Sequence, residues 1–188
     1  MIAESFLVST GAVALGEMGD KTQLLALLLA ARYRRPLPIA AGILVATLAN
    51  HAMAAALGTW LTRSIDPTWM RWGLAVSFIA VALWMLVPDR ATEVEGQPHG
   101  RFGVFGVTVV AFFLAEMGDK TQIATVMLAA RYNELLAVTA GTTLGMMLAN
   151  VPVIYLGDRV TRRVPIVWVH RIAALVFAAL GVAVLVWA

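Results

Sequence analysis

The sequence lacks cysteine entirely and is poor in charged residues. With no cysteine among its 188 residues, it offers neither a disulfide nor a thiolate ligand for a metal ion. Charged residues make up 13% of the chain and hydrophobic residues 61%, whereas soluble domains carry about a quarter charged residues. The deficit extends along the whole chain. The composition therefore indicates a protein whose solvent is the lipid bilayer.

The apolar residues form six long stretches, at roughly 3–31, 37–61, 69–87, 103–130, 136–157 and 166–187. Each stretch is long enough as a helix to cross a hydrocarbon core of about 30 Å. The predicted fold is an all-α membrane protein with six transmembrane helices. No Lys or Arg precedes Lys21 and no small-residue cleavage site is evident, so we interpret the first stretch as a retained span and not as a signal peptide.

The two halves of the chain repeat each other at an offset of 99 residues. Residues 17–33 read EMGDKTQLLALLLAARY and residues 116–132 read EMGDKTQIATVMLAARY, with twelve of seventeen positions identical. The same offset pairs further identical residues, namely Gly42 with Gly141, Trp69 with Trp168 and Phe78 with Phe177. The pattern indicates a duplication into three-helix repeats at 1–88 and 103–188, joined by a hydrophilic linker at 89–102.

Each repeat holds an odd number of predicted spans, so the second repeat is predicted to cross the membrane in the opposite direction. Inverted repeats of this kind place the substrate site near the midplane, between the two halves. Basic residues predict the orientation, since cytoplasmic loops carry an excess of Lys and Arg. Nine arginines lie on the linker side and three on the other. The linker is therefore predicted to be cytoplasmic, and both termini are predicted to lie outside.

Ionisable residues lie near the middle of the first and fourth stretches, in two copies of the motif EMGDKT. The copies hold Glu17, Asp20 and Lys21, then Glu116, Asp119 and Lys120. Each charged side chain costs about 2.5–3.5 kcal/mol at a helix centre. Six such residues in so small a protein indicate a functional site, and not only an ion pair that joins helices.

The spacing of the acids predicts an oxygen-rich cation site. Glu17 and Asp20 are three residues apart, which places both on one face of a helix, and the second motif repeats the arrangement. The pseudo-symmetry brings the two faces together, so that four carboxylates converge, as suits Ca²⁺, Mg²⁺ or Mn²⁺. Further oxygens are predicted from Gln23, Gln122, Thr22 and Thr121. For the two glutamines, a hydrogen bond between helices is the alternative.

The charges of the two motifs sum to −2, because four carboxylates and two ammonium groups are present. One divalent cation or two protons would neutralise this sum, so exchange of one for the other is the hypothesis. Lys21 and Lys120 each follow the glutamate of their own motif by one turn and are predicted to pair with it when the metal is absent. Gly16 with Gly19, and Gly118 in the second copy, are predicted either to allow a break in the helix or to allow close packing.

Three polar residues lie within the second and fifth stretches, namely Asn50, His51 and Asn150. The offset of 99 pairs His51 with Asn150. These side chains either line the cation cavity or form hydrogen bonds between helices. A nitrogen ligand would influence the choice of metal, which makes His51 a candidate for selectivity.

The twin motif resembles that of the Ca²⁺/Mn²⁺:H⁺ exchanger family, in which E-x-G-D-[K/R]-[T/S] occurs once in each three-helix half. The resemblance covers nearly the whole chain, and neither motif departs from the pattern. It implies proton-coupled cation export, with no cofactor beyond the transported Mn²⁺ or Ca²⁺. The net charge of +3 does not indicate a nucleic-acid partner, because the basic residues lie in short loops between apolar stretches. The short chain and linker are similar to bacterial members, which implies Mn²⁺ efflux across the plasma membrane. Carried over by position, the motif residues are Glu17, Gly19, Asp20, Lys21, Thr22, Glu116, Gly118, Asp119, Lys120 and Thr121.

Other functions are compatible with a six-helix membrane protein. A small amino-acid exporter would use the same acids to bind a zwitterionic or cationic substrate, and a passive channel would need no proton gradient. An intramembrane aspartyl protease uses paired aspartates, one within a G-x-G-D motif. Here Glu17 and Glu116 replace the first glycine, and the lysines suit a proton-sharing dyad poorly. We therefore expect a transporter and not an enzyme.

Overall fold

The computed structural model describes residues 2–87, 103–156 and 166–187, and the predicted linker at 89–102 lies outside them. The described residues form eight helices and no strand, which confirms the prediction of an all-helical protein. The helices are α1 (Ile2–Glu17), α2 (Lys21–Tyr33), α3 (Pro36–Ser64), α4 (Pro67–Trp84), α5 (Gly103–Glu116), α6 (Lys120–Tyr132), α7 (Leu135–Leu156) and α8 (Ile166–Trp187).

Three of these helices are individually long and apolar enough to cross a membrane. They are α3, α7 and the segment Val167–Val186 of α8. Large apolar side chains point away from the protein on several helices, as expected where lipid is the neighbour. Examples are Leu136 at 80% exposure, Trp69 at 73% and Leu175 at 69%.

The first and fourth apolar stretches are each broken into two helices at the EMGDKT motif. α1 ends at Glu17 and α2 begins at Lys21, and α5 and α6 are separated in the same way. Gly19 and Gly118 have φ values of 83° and 74°, in the left-handed region that favours glycine. The first and fourth apolar stretches are therefore not continuous helices. Of the two roles that the sequence left open for these glycines, a helix break and close packing, the structure shows the break.

Proline and left-handed residues set the turns that follow. Arg34 and Asn133 end α2 and α6 with φ values of 53° and 51°, and α3 begins with Pro36, whose missing N–H costs nothing at a helix start. Asp66 caps α4, because its side chain accepts a hydrogen bond from the Thr68 backbone N–H at 2.9 Å. These signals explain why the connections between neighbouring helices are so short.

Close helix packing joins the two halves through α1, α3, α5 and α7. A Cβ added at Gly42 in α3 would lie 2.7 Å from the Thr108 Cβ atom of α5. A Cβ added 99 positions later, at Gly141 in α7, would lie 3.1 Å from the Ser9 Cβ atom of α1. Because Ser9 and Thr108 are also 99 residues apart, each half makes the same contact with the other.

The helices α4 and α8 pack against each other on the flank of this core. Phe78 and Phe177 form a tilted aromatic pair with ring centroids 6.3 Å apart, a geometry that is favourable between aromatic rings. The Arg71 guanidinium donates a hydrogen bond to the Leu185 carbonyl oxygen, near the end of α8. Phe78 and Phe177 are also partners at the offset of 99, so equivalent residues of the two halves meet here.

Candidate cation site

The two helix breaks bring the motif carboxylates into the protein interior. Glu17, Asp20 and Glu116 are fully buried, and Asp119 is 3% exposed. Glu17 ends α1, whereas Asp20 has an extended backbone and occupies the position just before α2. The two acids therefore do not share a helical face as predicted. They meet because the chain turns between them.

Three of the four carboxylates gather around one point. One oxygen each from Glu17, Asp20 and Asp119 lies within 4.8 Å of the other two. Hard divalent cations bind oxygen ligands at about 2.0–2.6 Å, so ligand atoms on opposite sides of an ion are separated by up to about 5 Å. The cluster therefore has the dimensions of a cation site, and both motifs contribute to it.

Threonine hydroxyls hold the glutamates. Thr22 Oγ1 donates to Glu17 Oε2 at 2.5 Å. Thr121 Oγ1 lies 3.2 Å from Glu116 Oε2 and 3.3 Å from Asp119 Oδ2, and its single proton serves one of them at a time. Glu116 is thus tied to the cluster through Thr121, although it lies outside the group of three.

Each glutamate also has one oxygen with no hydrogen-bond donor within the described part of the chain. These atoms are Glu17 Oε1 and Glu116 Oε1, and both are buried. A buried carboxylate oxygen without a donor is costly, since nothing replaces the water that hydrates it. A cation or a proton at these oxygens removes that cost. The donor set therefore fits a hard cation.

The lysines pair between the motifs and not within them. Lys21 Nζ lies 2.7 Å from Asp119 Oδ1, and Lys120 Nζ lies 3.7 Å from Asp20 Oδ1. The predicted pairing of each lysine with the glutamate of its own helix is corrected by these distances. The break ends the helix between Glu and Lys, so the one-turn spacing no longer makes them neighbours, and each lysine reaches across to the other motif.

The two glutamines fasten the motif loops to neighbouring helices. Gln23 Oε1 accepts from the Gly19 backbone N–H at 2.9 Å, and its amide nitrogen donates to the Ala149 carbonyl oxygen of α7 at 2.9 Å. Gln122 Oε1 accepts from the Gly118 backbone N–H at 2.7 Å, and its amide donates to Asn50 Oδ1 of α3 at 3.3 Å. Each amide oxygen keeps a second lone pair.

The three polar residues of α3 and α7 have different surroundings. Asn50 donates to the Phe113 carbonyl oxygen at 3.0 Å and thereby links α3 to α5 as well as to Gln122. Asn150 donates to the Met146 carbonyl oxygen of its own helix at 3.1 Å. His51 is fully buried, and neither ring nitrogen has a hydrogen-bond partner within the described ranges.

One contact at the site carried no recognisable sequence signal. His170 of α8 places Nε2 2.9 Å from the carbonyl oxygen of Met18, in the first motif loop. The helix break leaves that carbonyl without a partner in the next helical turn, so a side-chain donor can satisfy it. His170 stands in no motif, and its neighbourhood with Met18 depends on how α8 packs.

Apolar helices around a buried, two-motif carboxylate cluster define a membrane transport protein for hard cations. The chain belongs to the family described as divalent cation/proton antiporter GDT1, whose model matches residues 5–93 and 104–188. The resemblance inferred from the twin motif is thereby confirmed. Membership identifies the chain as a divalent cation transporter, with cations and protons as its substrates, and the amino-acid exporter and protease alternatives have no such support.

Two curated relatives cover most of their own length in the comparison. The chain is 48% identical to the "Putative manganese exporter" of Vibrio cholerae, with 94% of this chain and 88% of the relative aligned. It is 30% identical to a "GDT1-like protein" of Synechocystis sp., with 88% of each chain aligned. No solved structure is significantly similar to this chain.

Proposed function

We propose that this protein exports Mn²⁺ from the cytoplasm in exchange for protons, with Ca²⁺ as a second substrate. The observation that carries the proposal is the buried cluster of Glu17, Asp20 and Asp119, to which both motifs contribute. The manganese preference is supported by the manganese exporter of Vibrio cholerae, to which nearly half the residues are identical. Proton exchange is supported by the family.

The proposed architecture is six membrane spans in two inverted repeats, at 1–88 and 103–188. In it, α1 with α2 and α5 with α6 each form one discontinuous span, as occurs around the sites of other transporters. Reciprocal contacts support a two-fold relation between the halves. Lys21 pairs with Asp119, and Lys120 pairs with Asp20. The two ion pairs are equivalent, because Lys120 follows Lys21 by 99 residues and Asp119 follows Asp20 by 99 residues.

The proposed ion ligands are carboxylates first and amides second. Glu17, Asp20 and Asp119 bind the cation, and Glu116 joins them by a small movement of its side chain. The amide oxygens of Gln23 and Gln122 are the neutral ligands proposed to complete the shell, each with the lone pair that its loop N–H does not use. This gives a hard-oxygen site of the kind that Mn²⁺ and Ca²⁺ accept.

The lysines provide the competing cations when no metal is bound. An incoming ion must replace the ammonium groups of Lys21 and Lys120 at Asp119 and Asp20, respectively. With both lysines charged, the four motif acids leave a net −2, which one divalent ion or two protons balances. We therefore propose an exchange of one M²⁺ for two H⁺, because either load leaves the buried site neutral.

Asn50, His51 and Asn150 are proposed to line the ion path beside this cluster. Asn50 Oδ1 accepts a hydrogen bond from the Gln122 amide. His51 supplies two buried ring nitrogens without a protein partner in the described ranges, and imidazole is a ligand for transition metals but a poor one for Ca²⁺. His51 is therefore the residue proposed to favour Mn²⁺ over Ca²⁺.

The protein is proposed to reside in a bacterial plasma membrane, with the linker at 89–102 in the cytoplasm and both termini outside. The excess of arginines on the linker side supports this orientation. Both curated relatives are bacterial proteins. In this orientation, the inward proton gradient drives Mn²⁺ out of the cell.

Mn²⁺ uptake into proteoliposomes under an imposed pH gradient tests the proposal. The wild-type chain is expected to transport Mn²⁺, and Glu116→Gln is expected to abolish transport, because one carboxylate charge of the site is lost while the side-chain volume is kept. An excess of Ca²⁺ should compete and an excess of lysine should not. Transport blocked by lysine, or no Mn²⁺ or Ca²⁺ flux under any gradient, would contradict the assignment.

A further inference from the structure

The two motif loops have the same sequence, but neighbouring helices bury them to different extents. His170 of α8 lies against the first loop, with Nε2 2.9 Å from the Met18 carbonyl oxygen. In the second loop, Met117 is 56% exposed and Gly118 is exposed as well. The first loop is therefore closed by α8, whereas the second loop lies open.

The residue equivalent to His170 in the first half is Arg71 of α4, 99 positions earlier. Symmetry would place Arg71 on the Met117 carbonyl oxygen. Arg71 instead donates to the Leu185 carbonyl oxygen at the far end of α8. A guanidinium and an imidazole N–H are both donors that a free loop carbonyl can use, so the two residues are chemically suited to the same task.

Helix packing shows the same asymmetry on a larger scale. α8 packs against α1, and α4 packs against α6. Among the described helices, the symmetric counterparts of these interfaces, α4 with α5 and α8 with α2, are much smaller. The lysines follow this pattern, since Lys120 is fully buried and Lys21 is 21% exposed. The two repeats therefore adopt two different conformations around one site.

We propose that His170 and Arg71 are alternating positioning residues of the transport cycle. His170 closes the first motif loop in the conformer described here. In the opposite conformer the repeats exchange conformations, α4 moves onto α5, and Arg71 closes the second loop by donating to the Met117 carbonyl oxygen. His170 then leaves Met18 and donates to the carbonyl oxygen of Leu86. Leu86 is the residue 99 positions before Leu185, so this contact is the counterpart of the present contact of Arg71 with Leu185.

The chemistry of the break explains why such a donor is needed. Each break leaves backbone carbonyls without a partner in the next turn, and an unsatisfied carbonyl in an apolar interior costs free energy. A side chain that donates to the loop carbonyl in only one conformer stabilises that conformer. It acts at the loop that carries the ion ligands. The inference rests on the proposed transport function. A carrier alternates between two conformers, one open to each side of the membrane, and the two contacts would stabilise one conformer each.

Because the chain has no cysteine, paired cysteines test the proposal directly in the full-length protein. The first matched pair is Met18→Cys with His170→Cys, and the second is Met117→Cys with Arg71→Cys. The mixed pairs, Met18→Cys with Arg71→Cys and Met117→Cys with His170→Cys, are the controls. All four variants are treated in proteoliposomes with a short bifunctional thiol reagent, and the linked peptides are measured by mass spectrometry.

The first matched pair is expected to cross-link without Mn²⁺. The second is expected to cross-link severalfold more than either mixed pair once Mn²⁺ and a pH gradient are supplied. The proposal would be overturned if the first pair cross-links but the cross-linking yield of the second pair never exceeds that of the mixed pairs. It would also be overturned if the first pair does not cross-link. Mn²⁺ uptake by the wild-type chain is measured separately, so failure of the transport function is distinguishable from failure of the alternating contacts.

Discussion

The buried ion pair between Lys120 and Asp20 yields a sharp prediction about stability and transport. Both side chains are fully buried, and Nζ lies 3.7 Å from Oδ1. Lys120→Met keeps most of the side-chain volume and removes the charge. Asp20 then keeps a negative charge that has lost a cationic neighbour in an apolar interior.

The expected cost is large because the buried Asp20 carboxylate loses the attraction of a neighbouring cation. Removing one partner of a buried ion pair typically costs about 3–5 kcal/mol, whereas replacing both partners is often nearly neutral. Lys120→Met is therefore expected to lower the free energy of unfolding by about that amount, and Asp20→Asn with Lys120→Met is expected to recover most of it. Lys21→Met is expected to cost less, because Lys21 is 21% exposed and partly solvated.

Thermal unfolding in detergent, followed for the wild type, both single lysine variants and the double variant, measures these differences. The double variant is expected to regain stability but not Mn²⁺ uptake, because Asp20 is a proposed ion ligand. If Lys120→Met is as stable as the wild type, or if the double variant is no more stable than Lys120→Met, the proposed role of this pair is wrong.

Three further predictions concern other parts of the site and its scaffold. Gly118→Ala is expected to cost about 1–2 kcal/mol in thermal unfolding from its left-handed backbone alone, because nothing lies within 4 Å of the added Cβ atom; an unchanged melting temperature would refute this. Gly42→Ala is expected to destabilise the protein, because its Cβ atom would lie 2.7 Å from Thr108, whereas the matched helical control Gly73→Ala meets nothing within 4 Å and should be neutral or stabilising. His51→Ala is expected to lower the preference for Mn²⁺ over Ca²⁺ in competition uptake, and an unchanged preference would remove His51 from selectivity.

The sequence was most informative where the signal was repeated. The offset of 99 residues located both motifs. The glycine two positions after each glutamate left a helix break as one of two possible roles, and Gly19 and Gly118 make that break with positive φ values. Burial of all four acids followed from their position within apolar stretches. These features depend on local composition and on duplication, both of which are visible in the chain itself.

Contacts between the halves were less predictable. The spacing of Glu17 and Lys21 suggested a pair within one helix, but the break removed the helical register on which that reasoning depended. Lys21 instead reaches Asp119, 98 residues away in the chain. No spacing rule covers such a pair, because its distance is set by the packing of α2 and α6 with their neighbours. The contact of His170 with Met18 has the same origin.

We propose that one buried carboxylate site exchanges a divalent cation for protons. The most direct test measures Mn²⁺ entry and proton exit in the same proteoliposomes, with one dye for each ion and the membrane potential clamped. We expect two protons to be released for each Mn²⁺ taken up, and both fluxes to be lost together in Glu17→Gln. Mn²⁺ entry that proceeds at the same rate with no proton movement would contradict it and would identify a channel.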